Sequence, residues 1–119
     1  MKTESKMAAL FVFNGDPMCF IHVLLNGINL ADSGYDVKII IEGSATKLVP
    51  GLSQTGNPQH RLWETVKEKG LVDGACKACC VKTGALDACK EQGLKLLDDM
   101  SGHPSISAYL DRGYQVITF

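Results

Sequence analysis

Five cysteines stand in the chain: Cys19, Cys76, Cys79, Cys80 and Cys89. Four of them cluster in the second half, and Cys76-Lys77-Ala78-Cys79-Cys80 supplies the chain's C-x-x-C spacing. A thiolate is the form of cysteine that attacks sulfur or binds a metal. A cysteine that ends a strand and opens a helix meets unpaired backbone N–H groups. Their partial positive charge, with Lys77 and Lys82 nearby, favours the thiolate at Cys76. Such a group attacks a disulfide, or accepts a sulfur atom as a persulfide. Cys79, three residues on, can close a disulfide with Cys76 or resolve an oxidised sulfur. Cys80 and Cys89 read as small buried hydrophobic residues.

Other chemistries fit the residues less well. Zinc would need four ligands, for example Cys76, Cys79, Cys89 and His103. The second C-x-x-C of a zinc ribbon is missing, so no metal and no other cofactor is assigned. A thioredoxin-type enzyme carries its C-x-x-C after an early strand, which this chain does not. Asn14-Gly15-Asp16 lacks the glycine pattern of a phosphate loop, and Asp16 would repel a phosphate. Asp16 suits a helix cap instead. Cys19 falls in the first turn of the first helix, where it is either a second thiol at the site or part of the core. His22 reads as a packed or partly exposed side chain. His103, just before Pro104, can move a proton or orient a thiolate, or simply hold its loop. Trp63 reads as core or as a subunit contact.

The elements that must position these residues alternate along the chain. Residues 7–13 (MAALFVF) are a continuous apolar run, as in a parallel strand buried on both faces. Asp16-Pro17 opens a helix over residues 17–33, closed at Gly34. Residues 35–42 (YDVKIIIE) are a second strand, so the first unit is a right-handed β-α-β crossover. A short helix is expected over 44–49, broken at Pro50-Gly51, then a loop to residue 58 and a helix over 58–69. Residues 71–76 form a third strand, 76–83 a helical turn stopped at Gly84, and 85–92 a short helix. A short extended piece at 94–97, a helix at 104–112 and a strand at 114–119 complete the chain. This pattern predicts a single-domain, three-layer α/β/α fold with a mostly parallel central sheet of about five strands; residues 1–6 are expected to be a flexible N-terminus. Sites in such sheets form beyond the carboxyl ends of the strands. The loops at 15–19, 76–80 and 101–104 should therefore share one edge, which brings Asp16, Cys19, Cys76, Cys79 and His103 to one rim.

Composition narrows the class. The 119 residues are 45% hydrophobic and 21% charged, enough to build a core. Twelve basic and thirteen acidic residues leave a net charge of −1, which argues against direct nucleic-acid binding. The longest apolar runs have the length of strands, so no membrane span and no signal peptide is read. An odd number of cysteines without an export signal points to reduced thiols and a cytoplasmic setting.

The order of these elements, with Cys76-Lys77-Ala78-Cys79-Cys80-Val81-Lys82-Thr83-Gly84 after the third strand and YQVITF at the end, resembles the DsrE/DsrF/TusD-like family of small sulfur-relay proteins. The resemblance runs over residues 7–119. It implies that Cys76 is the sulfur-accepting cysteine and carries sulfur as a persulfide. It also implies sulfur donor and acceptor proteins as partners and assembly into dimers, trimers or hexamers. The family segment usually has small residues where this chain has Cys79 and Cys80, a departure that favours a dithiol mechanism. Two alternatives from other classes stand beside this reading. One is a thiol–disulfide redox protein using Cys76 and Cys79. The other is a non-catalytic oligomeric or zinc-binding module.

Overall fold

Met7–Val12 (β1) is buried along nearly its whole length, and its side chains divide between two layers. Ala8, Leu10 and Val12 join the larger core on one face of the sheet, and Ala9 and Phe11 join a smaller core on the other. A strand apolar on both faces belongs at the centre of a parallel sheet. In the computed structural model, which describes residues 6–119, β1 lies between Asp36–Ile41 (β2) and Gln115–Thr118 (β5), parallel to both. Val72–Cys76 (β3) pairs with β2, and the two-residue Leu96–Leu97 (β4) pairs with β3. The order is β4-β3-β2-β1-β5, with every pairing parallel. The expectation for residues 1–5 lies outside the described residues. Lys6, just before β1, already bonds to β2, its carbonyl accepting the Asp36 N–H at 2.7 Å.

Helices cover both faces, giving the three-layer α/β/α arrangement. Pro17–Asp32 (α1) starts as its residues dictate. The Asp16 carboxylate accepts the Met18 N–H at 2.9 Å, and Pro17 takes a first-turn position where it loses no helix bond. Phe20, Val23 and Leu24 are its buried stripe. They share the larger core with Trp63 and Val66 of His60–Glu68 (α3), Cys80 of Lys77–Thr83 (α4) and Cys89 of Leu86–Glu91 (α5). Ile106–Asp111 (α6) covers the opposite face, where Tyr109 stands edge-on to Phe11 at 5.3 Å between ring centroids. Two tyrosine hydroxyls tie that layer to the sheet: Tyr109 donates to Asp73, and Tyr114 donates to Asp36 at 2.9 Å.

Three element boundaries differ from the sequence expectation. Pro50-Gly51 does not break the chain after β2. A 3-10 helix, Gly43–Leu48, runs directly into Val49–Leu52 (α2), and Pro50 sits in its first turn, where a missing N–H costs nothing. The helix expected from residue 58 starts at His60, because the Asn57 side chain accepts the Gln59 N–H in a turn of its own. The last helix starts at Ile106 and not at Pro104, with the Ser105 hydroxyl accepting the Ala108 N–H at 3.3 Å.

β3 tolerates only a glycine at its centre. A Cβ at Gly74 would lie 2.5 Å from the Lys95 carbonyl oxygen and 2.8 Å from Leu97 Cγ. The β2–β3 register also shifts beside this residue. Close approach of Lys95 lets its carbonyl take the Ala75 N–H at 2.9 Å, which seats β4 against β3. Gly74→Ala should therefore destabilise the fold by about 1–3 kcal/mol through overpacking against backbone. Gly56→Ala, where a Cβ meets nothing within 4 Å, is the matched control and should be nearly neutral. Urea midpoints compared at equal m-value check both.

Candidate functional site

β3 delivers Cys76 to the carboxyl edge of the sheet, where it becomes the N-cap residue of α4. Its backbone is still extended (φ −63°, ψ 119°), and its sulfur accepts the Cys79 N–H at 3.4 Å. Gly84, at φ 78°, ends the helix in the left-handed conformation that glycine adopts freely. The next N–H in the first turn, that of Ala78, donates to the Gly102 carbonyl at 2.9 Å. That bond docks the turn at residues 100–103 onto the start of α4. The turn is closed by reciprocal backbone bonds between Met100 and His103 (2.7 and 2.9 Å) and passes through left-handed Ser101 (φ 52°) and Gly102 (φ 91°).

Docking places the His103 ring over the two thiols. Its Nδ1 lies 3.0 Å from Cys76 Sγ and 3.9 Å from Cys79 Sγ. The Gly102 carbonyl stands 3.8 Å from Cys76 Sγ. Cys76 is fully buried, whereas Cys79 and His103 are half-buried. Burial pushes the Cys76 thiol up to about 12, the Cys79 N–H opposes this, and the charge of Glu42 adds to it. The thiolate expected from the helix N-terminus is thus not the resting form, since desolvation outweighs one hydrogen bond and a partial charge. The resting Cys76 thiol lies within hydrogen-bond reach of the His103 ring, a pairing through which a proton can be moved on demand.

Of the five residues expected on one rim, Cys76, Cys79 and His103 come together. Asp16 and Cys19 do not join them. Asp16 is occupied as the cap of α1. Cys19, half-buried, lines a separate cavity of about 450 Å³ with Asn14, His22, Asn26 and Phe119. α1 follows β1, and β2 separates β1 from the strand that carries Cys76. Lys77 turns its ammonium to Asp98 at 3.7 Å, on the surface. Cys80 and Cys89 are buried as expected and face each other, sulfur to sulfur, at 3.4 Å. That contact removes Cys89 from any ligand set with Cys76, and it drives the Cys80 thiol upward. Trp63 is core, with its indole N–H donating to Gln92 at 2.8 Å.

The sequence reading missed Glu42. It directly follows Ile39-Ile40-Ile41 at the carboxyl end of β2, and its N–H donates to Val12 at 2.8 Å. Only 7% exposed, it lines a cavity of about 390 Å³ with Phe13, Met100, His103, Pro104 and Ile106. An acidic residue directly after the apolar run Ile39-Ile40-Ile41 was the signal available. Burial pushes its carboxyl up to about 7.

No family model matches the chain. An uncharacterized protein of Methanocaldococcus jannaschii, MJ0733, is 36% identical over 97 residues, which cover 82% of this chain and 77% of the relative. An uncharacterized protein of Archaeoglobus fulgidus is 48% identical over 42 residues, 35% of this chain and 69% of that protein.

The Glu42 environment has a measurable consequence. Its carboxyl keeps a proton in the folded state up to about 7, whereas in the unfolded chain it loses it near the usual 4.5. The folded state therefore binds more protons between these values, and Glu42 makes stability fall as pH rises through that window. Glu42→Gln removes the penalty. It should raise unfolding stability by about 2–3 kcal/mol at roughly pH 8 and change it little at roughly pH 4, read from urea midpoints at the two pH values.

Proposed function

The chain belongs to the family of the Methanocaldococcus jannaschii protein MJ0733, and from its own Cys76–His103 contact we propose that it is a sulfur-relay protein carrying sulfur as a persulfide on Cys76. The 3.0 Å separation of Cys76 Sγ and His103 Nδ1 carries the reading. A buried thiol held protonated needs a base within hydrogen-bond reach, and His103 supplies one. The resemblance to the DsrE/DsrF/TusD-like proteins points to the same cysteine and adds the expectations of a cytoplasmic homo-oligomer and of protein donors and acceptors.

The step runs as follows. His103 Nδ1 takes the Cys76 proton as the sulfur attacks the terminal sulfur of a donor persulfide. The donor S–S bond breaks, its electron pair leaves with the donor thiolate, and that thiolate takes up a proton. Cys76 now holds the transferred sulfur. The Cys79 N–H and the N-terminal turn of α4 face the negative charge that develops on it. An acceptor thiolate attacking the outer sulfur regenerates Cys76. Cys79, more exposed than Cys76, is the second thiol. It receives sulfur in passing, or it attacks the inner sulfur of the persulfide, releases hydrosulfide and leaves a Cys76–Cys79 disulfide for a thiol reductant. This last route is also the entry to the second reading, a thiol–disulfide redox protein, which the same proximity of the two sulfurs to His103 favours.

Intact-mass spectrometry with peptide mapping, after incubation with a polysulfide donor, separates the readings. A reductant-sensitive gain of about 32 Da on the Cys76 peptide is the expected result. Loss of about 2 Da joining Cys76 to Cys79, without any gain, moves the assignment to redox chemistry. Cys76→Ser should abolish loading. His103→Ala should slow it about 100-fold, the usual contribution of a positioned base, while Cys79→Ser should still load.

A further inference from the structure

We propose that Cys76, Cys79 and His103 together form a zinc site with three protein ligands and one open coordination position. The ligand atoms of these three residues all lie within 4.8 Å of one another. A tetrahedral zinc with bonds of about 2.3 Å to sulfur and about 2.0 Å to imidazole nitrogen separates its sulfur and nitrogen ligands by roughly 3.5 Å. The two sulfur–nitrogen distances, 3.0 and 3.9 Å, bracket that value. Side-chain torsions must open the shorter contact and close the longer one to complete the geometry.

The donor set selects the metal class. Two thiolates and an imidazole suit a thiophilic d10 ion and exclude magnesium or calcium, which prefer oxygen. Three ligands are also the number found where zinc keeps a place for water or substrate, and not the four of a closed structural site. Cys89, which would have closed the set, is held against Cys80 in the core. The surroundings accept a cation. Lys77 is engaged by Asp98, and the Glu42 carboxyl lines the same cavity as His103. Binding displaces one proton from each thiol to solvent, and His103 enters as the neutral ring, so the site holds two negative charges against the two positive charges of the ion.

The site stands on geometry alone. One consequence rests on the sulfur-relay reading: zinc on Cys76 draws charge from the thiolate that would attack a sulfur donor, so the bound ion slows persulfide loading.

The test is titration of the reduced, metal-free full chain with cobalt(II), followed by displacement with zinc. One cobalt per chain, with tetrahedral d–d absorption and a thiolate-to-cobalt charge-transfer band, is expected. Cys79→Ser, at a half-exposed position, should weaken binding at least about tenfold and halve the charge-transfer band. His103→Asn should weaken binding without changing the thiolate band per bound cobalt. Cys19→Ser should bind like the parent. Far-UV circular dichroism confirms that each variant is folded. Absence of stoichiometric binding, or binding undiminished in both Cys79→Ser and His103→Asn, overturns the site. Persulfide loading measured on the metal-free chain is independent of this result: loading without cobalt binding sinks the zinc site alone, and cobalt binding without loading sinks the sulfur reading alone.

Discussion

One backbone hydrogen bond, from the Ala78 N–H to the Gly102 carbonyl, joins the two halves of the site. The cysteines sit at the end of β3 and the start of α4, whereas the histidine comes from a turn more than twenty residues further on. The β3–β4 ladder, with Cys76 opposite Leu97, returns the chain beside the cysteines. The free N–H groups of the helix start then dock the turn that follows, because a buried donor must find an acceptor. Cys76 sulfur takes one of these donors and Gly102 takes another, so capping the helix and assembling the site are one event. The left-handed backbone at Ser101 and Gly102 is what lets the carbonyl point inward while the imidazole crosses the thiols.

The same burial that shapes the site sets its resting charge. A helix N-terminus alone would stabilise a thiolate, but the Cys76 sulfur has no access to water and Glu42 lies near enough to add repulsion. Solvation wins over the dipole, and the sulfur waits as a thiol. Reactivity then depends on the imidazole and not on the helix. Burial also holds the Glu42 carboxyl toward its neutral form. A protonated thiol is less open to oxidation than an always-ionised one.

Much of this was legible in the residues. The buried strands at Met7 and Asp36, the cap at Asp16, the glycine stops and the strand-to-helix position of Cys76 follow from local rules that act over a few positions. The joining of Cys76, Cys79 and His103 followed from a fold-level rule, that loops at the carboxyl edge share a rim. The failures are also physical. Cys19 shares that edge but hangs from β1, with β2 lying between β1 and β3, and an edge rule has no distance in it. Lys77 was read as a charge beside the thiol, but a flexible side chain on the surface finds Asp98 first. Glu42 escaped notice because a single acidic residue closing a strand looks like an ordinary solvent-facing end. Its importance comes from the turn at residues 100–103 and Phe13, which sequence spacing does not place over it.

Adjacent residues on a helix point about 100° apart, and α4 uses that angle to keep two kinds of sulfur separate. Cys79 looks to the rim and Cys80 into the core, where it meets Cys89. The helix could not turn about its own axis without exchanging them. Its far end prevents this: the Thr83 hydroxyl donates to the Cys79 carbonyl at 3.0 Å and meets the buried Thr46 hydroxyl at 2.8 Å. Two threonines thus act as a rotational lock, and hydroxyl groups keep one thiol at the rim and its neighbour in the core.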